Sequence, residues 1–253
     1  MDTIEISCIV FGFILGGVVL GAVTRHFLSD QHLNPDAKDV VKIATAFLAT
    51  LSALVLGLLI ATAKTSFDTK SIQVRQLTAN VILLDQLLAQ YGPMTLNARE
   101  SARHNIAALV RRIWHEHNSK SASSERFEGS RAAEKFFQDV YSLSSQNDMQ
   151  RALKGRIVRV ATDLAQERLL LFVQNDNTIS TPFLVILAFW LTMIFAILSL
   201  LTRLNLLIAI ILFICALSVS ASVFLILDLD RAFSGMMQVS DAPLRNALSS
   251  NIR

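Results

Sequence analysis

The sequence predicts an all-α membrane protein with four transmembrane helices and a helical polar region between the second and the third. Two observations support this fold class. Four apolar runs contain no Lys, Arg, Asp or Glu, namely Ile6–Val23, Ile43–Ala63, Pro182–Leu201 and Leu206–Leu227. Each run has roughly the 20 residues that a helix needs to cross a hydrocarbon core about 30 Å thick. The chain is also 53% hydrophobic and only 17% charged, whereas ordinary globular domains are about 25% charged.

The apolar runs divide the chain into four parts. These are a first transmembrane pair at 1–63 (spans of about 6–23 and 43–63), a helical polar region at 64–181, a second transmembrane pair at 182–227 (spans of about 182–201 and 206–227) and a polar tail at 228–253. Four spans place both termini and the middle region on one side. Positive residues near the span ends usually decide orientation. Here five on the side of the middle region stand against four on the other, so charge does not decide it.

The first span is rich in glycine and is expected to stay in the membrane as an anchor. A secretory signal would begin with Lys or Arg, whereas this chain begins with Asp2 and Glu5. The glycines form two GxxxG pairs, Gly12 with Gly16 and Gly17 with Gly21. Such pairs either let two helices approach closely or reflect the general enrichment of glycine in membrane helices.

The second span is predicted to continue into the polar region as one long helix. No Gly or Pro occurs between Lys64 and Gln90, and Gly92-Pro93 supplies the stop. An apolar seam with alternating three- and four-residue steps follows the span, formed by Val74, Leu77, Val81, Leu84, Leu88 and Tyr91. This heptad pattern predicts that one face of the helix lies against a partner helix. The partner is either a later helix of the same chain or the same helix of another subunit.

The rest of the middle region also has helical periodicity. Helices are expected from about Leu96 to His117, around Phe136–Leu143 and over Ile157–Val173, with a polar, Ser-rich loop at Asn118–Ser130. His115-Glu116-His117 suggests a pair of metal ligands, but residues two apart on a helix point about 200° apart. A solvated helix end is therefore the expected interpretation.

Little in the sequence suggests an enzyme, a cofactor or a metal site. There is no Gly-rich phosphate loop, GxSxG or HExxH motif, and a net charge of +3 is too small to indicate nucleic-acid binding. The spans also lack the ionisable residues that charge-coupled transporters usually place at mid-membrane depth. This composition is compatible with a channel whose narrowest part is apolar and gates by dewetting. It is equally compatible with a membrane anchor that conducts nothing.

One candidate site lies on the second span. Phe47, Leu51, Leu54 and Leu58 form a bulky apolar face. Such a face either lines an apolar constriction or lies against lipid.

A second candidate site follows the fourth span, where Asp228 and Asp230 stand beside Arg231. The two carboxylates either pair with Arg231 or contribute to a cation site or a gate hinge, since oxygen ligands suit Ca²⁺. Two carboxylates are few for such a site, because Ca²⁺ normally takes about six to eight ligands.

Several stretches of the chain carry a family resemblance. They are Gly57–Asp68, Leu83-Leu84-Asp85, Tyr91-Gly92-Pro93, Pro182-Phe183-Leu184, Phe189-Trp190-Leu191 and Phe224–Gly235. Together they resemble the bestrophin-like family of bacterial membrane proteins, from about residue 40 to residue 248. The matching motif residues are Asp85, Tyr91, Gly92 and Pro93 in the cytosolic region and Asp228, Asp230, Arg231, Phe233, Ser234 and Gly235 near the membrane exit. Ala232 stands where this family usually has Pro.

The resemblance implies kinship with bestrophins, which are pentameric ion channels with four spans, a pore neck on the second span and a helical cytosolic region. It therefore implies a homo-oligomer, expected to be a pentamer, in the lipid bilayer of a bacterial inner membrane. The conducted species would be inorganic ions, and the middle region and both termini would be cytoplasmic. Animal bestrophins carry a Ca²⁺ clasp after the fourth span, but this chain lacks the run of acidic residues expected of one.

These observations lead to one functional hypothesis and one rival. The hypothesis is an oligomeric ion channel in which the second helix of each subunit rings the pore, with Phe47, Leu51, Leu54 and Leu58 at the constriction. The rival is a non-conducting membrane scaffold or signalling partner whose helical cytosolic region binds another protein. Oligomeric state distinguishes the two, because a monomer or a dimer leaves no central pore.

Overall fold

Every regular element in the described part of the chain is a helix. The computed structural model describes residues 3–27, 35–114, 134–173, 181–202 and 205–249. The helices are α1 Thr3–Phe27, α2 Pro35–Tyr91, a short 3₁₀ turn Pro93–Thr95, α3 Leu96–Trp114, α4 at residues 134–141, α5 Asp148–Val173, α6 Thr181–Leu201, α7 Leu206–Asp230 and α8 Ala242–Ser249. The predicted loop at 118–130 and the segment His115-Glu116-His117 lie outside the described residues.

Among the described residues, four helices are long and apolar enough to cross a membrane: α1, α2, α6 and α7. Each contains one of the predicted apolar runs, and α1 exceeds its run at both ends because it extends from Thr3 to Phe27. The longest is α2, whose 57 residues pass from the apolar run into the polar region without a break. The predicted all-helical chain with four long apolar helices is therefore confirmed.

The described residues group into two compact units, and the first consists of those within 1–67, 177–231 and 235–237. Here α1 packs against α6 and α7. Their apolar core includes Ile14, Leu187, Ala216 and Ile226, all almost fully buried. Ala63 of α2 belongs to the same core, so one side of the apolar part of α2 is fixed within this bundle.

Two glycines of α1 allow its backbone to lie directly against the backbone of α6. A methyl group placed on Gly17 would lie 2.6 Å from the carbonyl oxygen of Thr192. One placed on Gly21 would collide with the carbonyl oxygen of Ala196. Gly17 and Gly21 therefore form a packing motif of the kind that small residues provide between membrane helices.

Polar contacts strengthen the same interface. The Ser199 hydroxyl donates to the carbonyl oxygen of Val18 at 2.8 Å, and the Arg25 guanidinium donates to the carbonyl oxygen of Leu200 at 2.8 Å. Leu200 lies in the last turn of α6, where carbonyl groups lack partners within the helix. The positive charge of Arg25 also suits the negative end of that helix.

The other GxxxG pair, Gly12 with Gly16, does not bring α1 against another described helix of the chain. A methyl group on Gly12 or Gly16 would meet no atom within 4 Å. Both glycines instead line an open apolar groove, together with Phe13 and Met193. Only the Gly17 and Gly21 pair therefore brings helices together in this structure.

The second unit consists of the described residues within 68–176, 232–234 and 238–253. All six residues of the predicted heptad seam are buried: Val74, Leu77, Val81, Leu84, Leu88 and Tyr91. Leu88 and Tyr91 share a core with Phe136 and Val140 of α4 and with Ile157 of α5. At this end, the seam thus packs against later helices of the same chain, the first of the two predicted alternatives.

Candidate functional site

The four residues predicted to line a constriction lie along an uncovered face of α2. Phe47, Leu51, Leu54 and Leu58 are 66%, 36%, 67% and 63% exposed in the protomer. Their spacing of four, three and four residues keeps them on one side of the helix. The structure thus brings the four together as one apolar stripe, which we call the α2 stripe.

The opposite face of the same part of α2 is buried. Thr45, Ser52, Leu59 and Ala63 have at most 8% of their surface exposed, and they follow one another at intervals of seven, seven and four residues. The hydroxyls of Thr45 and Ser52 donate to the carbonyl oxygens four residues earlier, at 2.7 and 2.9 Å, so their polar groups are satisfied within the helix. One face of α2 therefore packs within the protomer, whereas the α2 stripe on the other face has no such cover.

The uncovered face continues along α2 beyond the apolar run. Ile72 and Ile82 are 60% and 39% exposed. Ile72 follows Leu58 by 14 residues and Ile82 follows Leu54 by 28, and multiples of seven keep the phase of a heptad. This part of the helix belongs to the second unit and lies outside the apolar run at 43–63 that the sequence predicts to cross the membrane. We expect a protein surface or a pore to face this side of α2.

Asp228 fixes the turn that follows α7. Asp228 is 3% exposed, and its two carboxylate oxygens accept hydrogen bonds from the backbone N–H groups of Met236 at 2.8 Å and of Met237 at 2.9 Å. Gly235 allows this close approach, because a methyl group there would lie 2.6 Å from the Asp228 carboxylate and 2.9 Å from its carbonyl oxygen. The backbone N–H of Gly235 also donates to the carbonyl oxygen of Arg231 at 3.0 Å. The acidic residue thus ties the chain back onto the end of its own helix.

This geometry favours a structural role for Asp228 over a cation site. Both of its oxygens already receive hydrogen bonds, and neither of these comes from Arg231. Asp230 is buried as well and has an interaction partner of its own. Among the described residues, no group of three or more His, Cys, Asp or Glu could hold a metal ion.

Phe233, the aromatic residue of the membrane-exit motif, packs against a tryptophan of α3. The rings of Phe233 and Trp114 meet edge to face with their centroids 5.5 Å apart. The Trp114 indole N–H donates to the carbonyl oxygen of Val239 at 2.7 Å, and the Val239 N–H donates to that of Ala232 at 2.8 Å. Ser234, by contrast, is exposed. Trp114 thus anchors both ends of the segment between residues 232 and 239.

The motif residues Tyr91, Gly92 and Pro93 form the corner where α2 ends. Gly92 has φ 117° and ψ −175°, a combination that is essentially restricted to glycine. Thr95 lies three residues after Gly92, and its hydroxyl donates to the carbonyl oxygen of Leu88 at 2.6 Å. The Tyr91 hydroxyl donates to the carbonyl oxygen of Ser144 at 3.1 Å. Pro93 opens the 3₁₀ turn, where its missing N–H costs nothing.

Asp85 closes the same corner through an ion pair. The Arg99 guanidinium of α3 donates from Nε to one carboxylate oxygen at 3.0 Å and from Nη2 to the other at 2.7 Å. Arg103 approaches the same carboxylate at 3.8 Å. Such a two-pronged contact fixes orientation as well as distance. Asp85 and the corner residues therefore form a structural joint between α2 and α3.

A partly buried carboxylate joins α2 to α5. The Asn80 side chain donates to Glu167 Oε1 at 2.8 Å, while Oε2 is buried and accepts no hydrogen bond from the described residues. Burial raises the pKa of Glu167 above its ordinary value, Asn80 opposes that shift, and the nearby charge of Asp163 adds to it.

This raised pKa predicts a pH-dependent contribution to stability. A carboxyl that binds its proton more tightly when folded stabilises the fold below its ordinary pKa of 4.5, and the contribution is lost as pH rises through the folded-state pKa. We expect the thermal stability of Glu167→Gln in detergent to fall less than that of the wild type as pH rises through this range. Glu100→Gln, at an exposed position of α3, is the control. Parallel pH profiles for the wild type and Glu167→Gln would contradict the prediction.

Several of these anchoring residues were not predicted from the sequence. Arg99, Thr95, Trp114 and Glu167 all contact partners more than six residues away along the chain. The ion pair of Arg99 could have been predicted, because Asp85 precedes the predicted corner at Gly92-Pro93 and Arg99 follows it. The contacts of Trp114 and Glu167 depend on packing over long chain separations, which a local pattern does not reveal.

Comparisons with known proteins were made over the whole chain. A search of curated proteins and a search of solved structures each found no match. A scan of family models matched the Bestrophin-like domain over residues 11–244. This match covers most of the sequence, including the α2 stripe, the α2–α3 corner and the turn after α7, and so the chain belongs to the bestrophin-like family.

Proposed function

We propose that this protein is the subunit of a homo-oligomeric ion channel of a bacterial inner membrane, with the α2 stripe lining the pore. A pentamer is the expected assembly, and residues 64–181 and both termini are proposed to be cytoplasmic. The protein would act without a cofactor and would catalyse no reaction. Family membership supports a channel-like role in a membrane.

The observation that carries the proposal is the uncovered face of α2. In the apolar part of the helix, lipid alone could cover Phe47, Leu51, Leu54 and Leu58. The same face remains uncovered at Ile72 and Ile82 in the polar part, where lipid is not expected. A central axis shared by several copies of α2 accounts for both parts of the face with one arrangement.

The chemistry of the stripe suits a hydrophobic gate. A ring of leucine and phenylalanine side chains offers water no hydrogen bonds, so a narrow ring empties of water and blocks ions until it widens. The apolar runs also contain no ionisable residue, so this gate would depend on pore width rather than on a fixed charge in the membrane.

Recordings from purified protein in planar bilayers test the proposal. Truncating Leu54 or Leu58 to alanine should widen and wet the constriction, and we expect a several-fold higher open probability or unitary conductance. Leu217→Ala is the matched control, because Leu217 is 53% exposed on α7 and would face lipid. Its conductance should equal that of the wild type.

Three outcomes would contradict the proposal. The absence of conductance in any salt would remove the channel and favour a non-conducting scaffold. Equal currents in Leu54→Ala, Leu217→Ala and the wild type would move the pore away from α2. A monomer or a dimer by native mass spectrometry would leave no central axis for the α2 stripe.

A further inference from the structure

The uncovered face of α2 carries charge immediately beyond the apolar stripe. The heptad positions that continue from Leu54 and Leu58 are Ala61, Thr65, Asp68, Ile72, Arg75 and Ala79. Every one of these residues is exposed in the protomer. The face therefore changes from apolar to polar at Thr65 and then presents one acid and one base, seven residues apart.

The two charges differ in their surroundings. Asp68 takes part in an interaction within the protomer. Within the described parts of the chain, no acid forms an ion pair with Arg75. The neighbouring Lys64 has its ammonium 5.4 Å from the centre of the Phe67 ring on its own helix. The positive charge of Arg75 is therefore available to the solvent, ions or protein that lie next to this face of α2.

We infer that Arg75 is the residue that sets the charge preference of the conducted ions, in favour of small inorganic anions. The inference depends on the proposed function, because it requires several copies of α2 around one axis. Each copy then adds one guanidinium to a ring that lies 17 residues after Leu58 in the sequence of α2. A ring of like charge in a narrow passage raises the local concentration of counter-ions and repels ions of its own sign.

The position of the ring separates two tasks along α2. The apolar stripe would decide whether ions pass, since it controls whether the passage is wet. Arg75 would decide which sign of ion is concentrated at the passage, since it lies outside the apolar stripe. Changing Arg75 should therefore alter selectivity and leave the opening of the leucine constriction unchanged.

Reversal potentials in planar bilayers under a potassium chloride gradient test this inference. The wild type should reverse towards the chloride equilibrium potential. Arg75→Gln should lower the chloride-to-potassium permeability ratio several-fold, and Arg75→Glu should move the ratio towards potassium. Arg159→Gln removes one exposed charge from α5 of the same unit and should leave the ratio unchanged. Because Arg75 is exposed, its variants should elute from size exclusion as the wild type does.

The outcomes distinguish this inference from the proposed function. Clear currents with the same permeability ratio in the wild type and Arg75→Gln would overturn the role of Arg75 while leaving the channel standing. An equal shift in Arg159→Gln would also overturn it, because the effect would then come from overall surface charge. No current in any variant would overturn the channel and this inference together.

Discussion

Replacing Gly21 by alanine should destabilise the membrane bundle more than any other single methyl group added to α1. The new methyl would collide with the carbonyl oxygen of Ala196 in α6. Because the obstacle is backbone rather than a movable side chain, relief requires the two helices to separate. Overpacking of this kind costs about 1–3 kcal/mol and occasionally more, and we expect a loss at the upper end of that range.

Separation of the helices should also weaken the polar contacts beside Gly21. The hydrogen bonds from Ser199 to Val18 and from Arg25 to Leu200 are both 2.8 Å long, and even a small shift of α1 away from α6 would stretch them. Thermal unfolding in detergent, followed by size exclusion, should show a clearly lower transition temperature for Gly21→Ala. Gly17→Ala should be affected in the same direction, because its methyl would lie 2.6 Å from a carbonyl oxygen of α6.

The same helix supplies the matched control. Gly12→Ala adds the same methyl group to α1, where it would meet nothing within 4 Å. We expect its protomer to be at least as stable as the wild type, since alanine favours a helix over glycine. A loss of stability in Gly12→Ala equal to that in Gly21→Ala would show that the close approach of α1 and α6 is not the cause.

The glycines of α1 illustrate why sequence alone identified the motif but not its partner. The two GxxxG pairs have the same spacing, and nothing in their composition separates them. They are offset by five residues, which places them about 140° apart around the helix. At most one pair can therefore face α6, and the choice depends on how α1 is rotated against α6, which no local pattern encodes.

The heptad seam of α2 was predicted only where its residues are apolar. From Val74 to Tyr91 every seam position is a large hydrophobic residue, so the periodicity stands out. The buried face also includes Thr45, Ser52 and Lys70, and polar residues interrupt a hydrophobic pattern. Thr45 and Ser52 can be buried because a hydroxyl can donate to its own helix, a contact that is visible only once the backbone is in place.

The partners of the membrane-exit motif were likewise not predictable from the sequence. Its acids were expected either to pair with Arg231 or to bind a cation, since those are the usual partners of a carboxylate. The structure gives Asp228 two backbone N–H groups instead. Such partners carry no sequence signature, because any backbone N–H can be the donor.

Removing the Asp228 carboxylate should release the turn that follows α7. Asp228→Ala would leave the N–H groups of Met236 and Met237 without the acceptor they have at 2.8 and 2.9 Å. Hydrogen bonds to a charged group contribute about 1.5–3 kcal/mol each, so we expect a loss of at least about 3 kcal/mol from the local stability of this turn. Asp228→Asn should lose less, because its amide oxygen still accepts one of the two hydrogen bonds.

Limited proteolysis with trypsin measures this release directly, because Arg231 lies within the turn and is half-buried. Cleavage after Arg231 should be much faster in Asp228→Ala than in the wild type. Gly235→Ala should accelerate cleavage for an independent reason, since its methyl would lie 2.6 Å from the Asp228 carboxylate. Ser234→Ala changes an exposed residue of the same turn and should be cleaved at the wild-type rate. If Asp228→Ala resists trypsin as the wild type does, the two backbone hydrogen bonds do not hold this turn closed, and a ligand role for its carboxylate would again need to be considered.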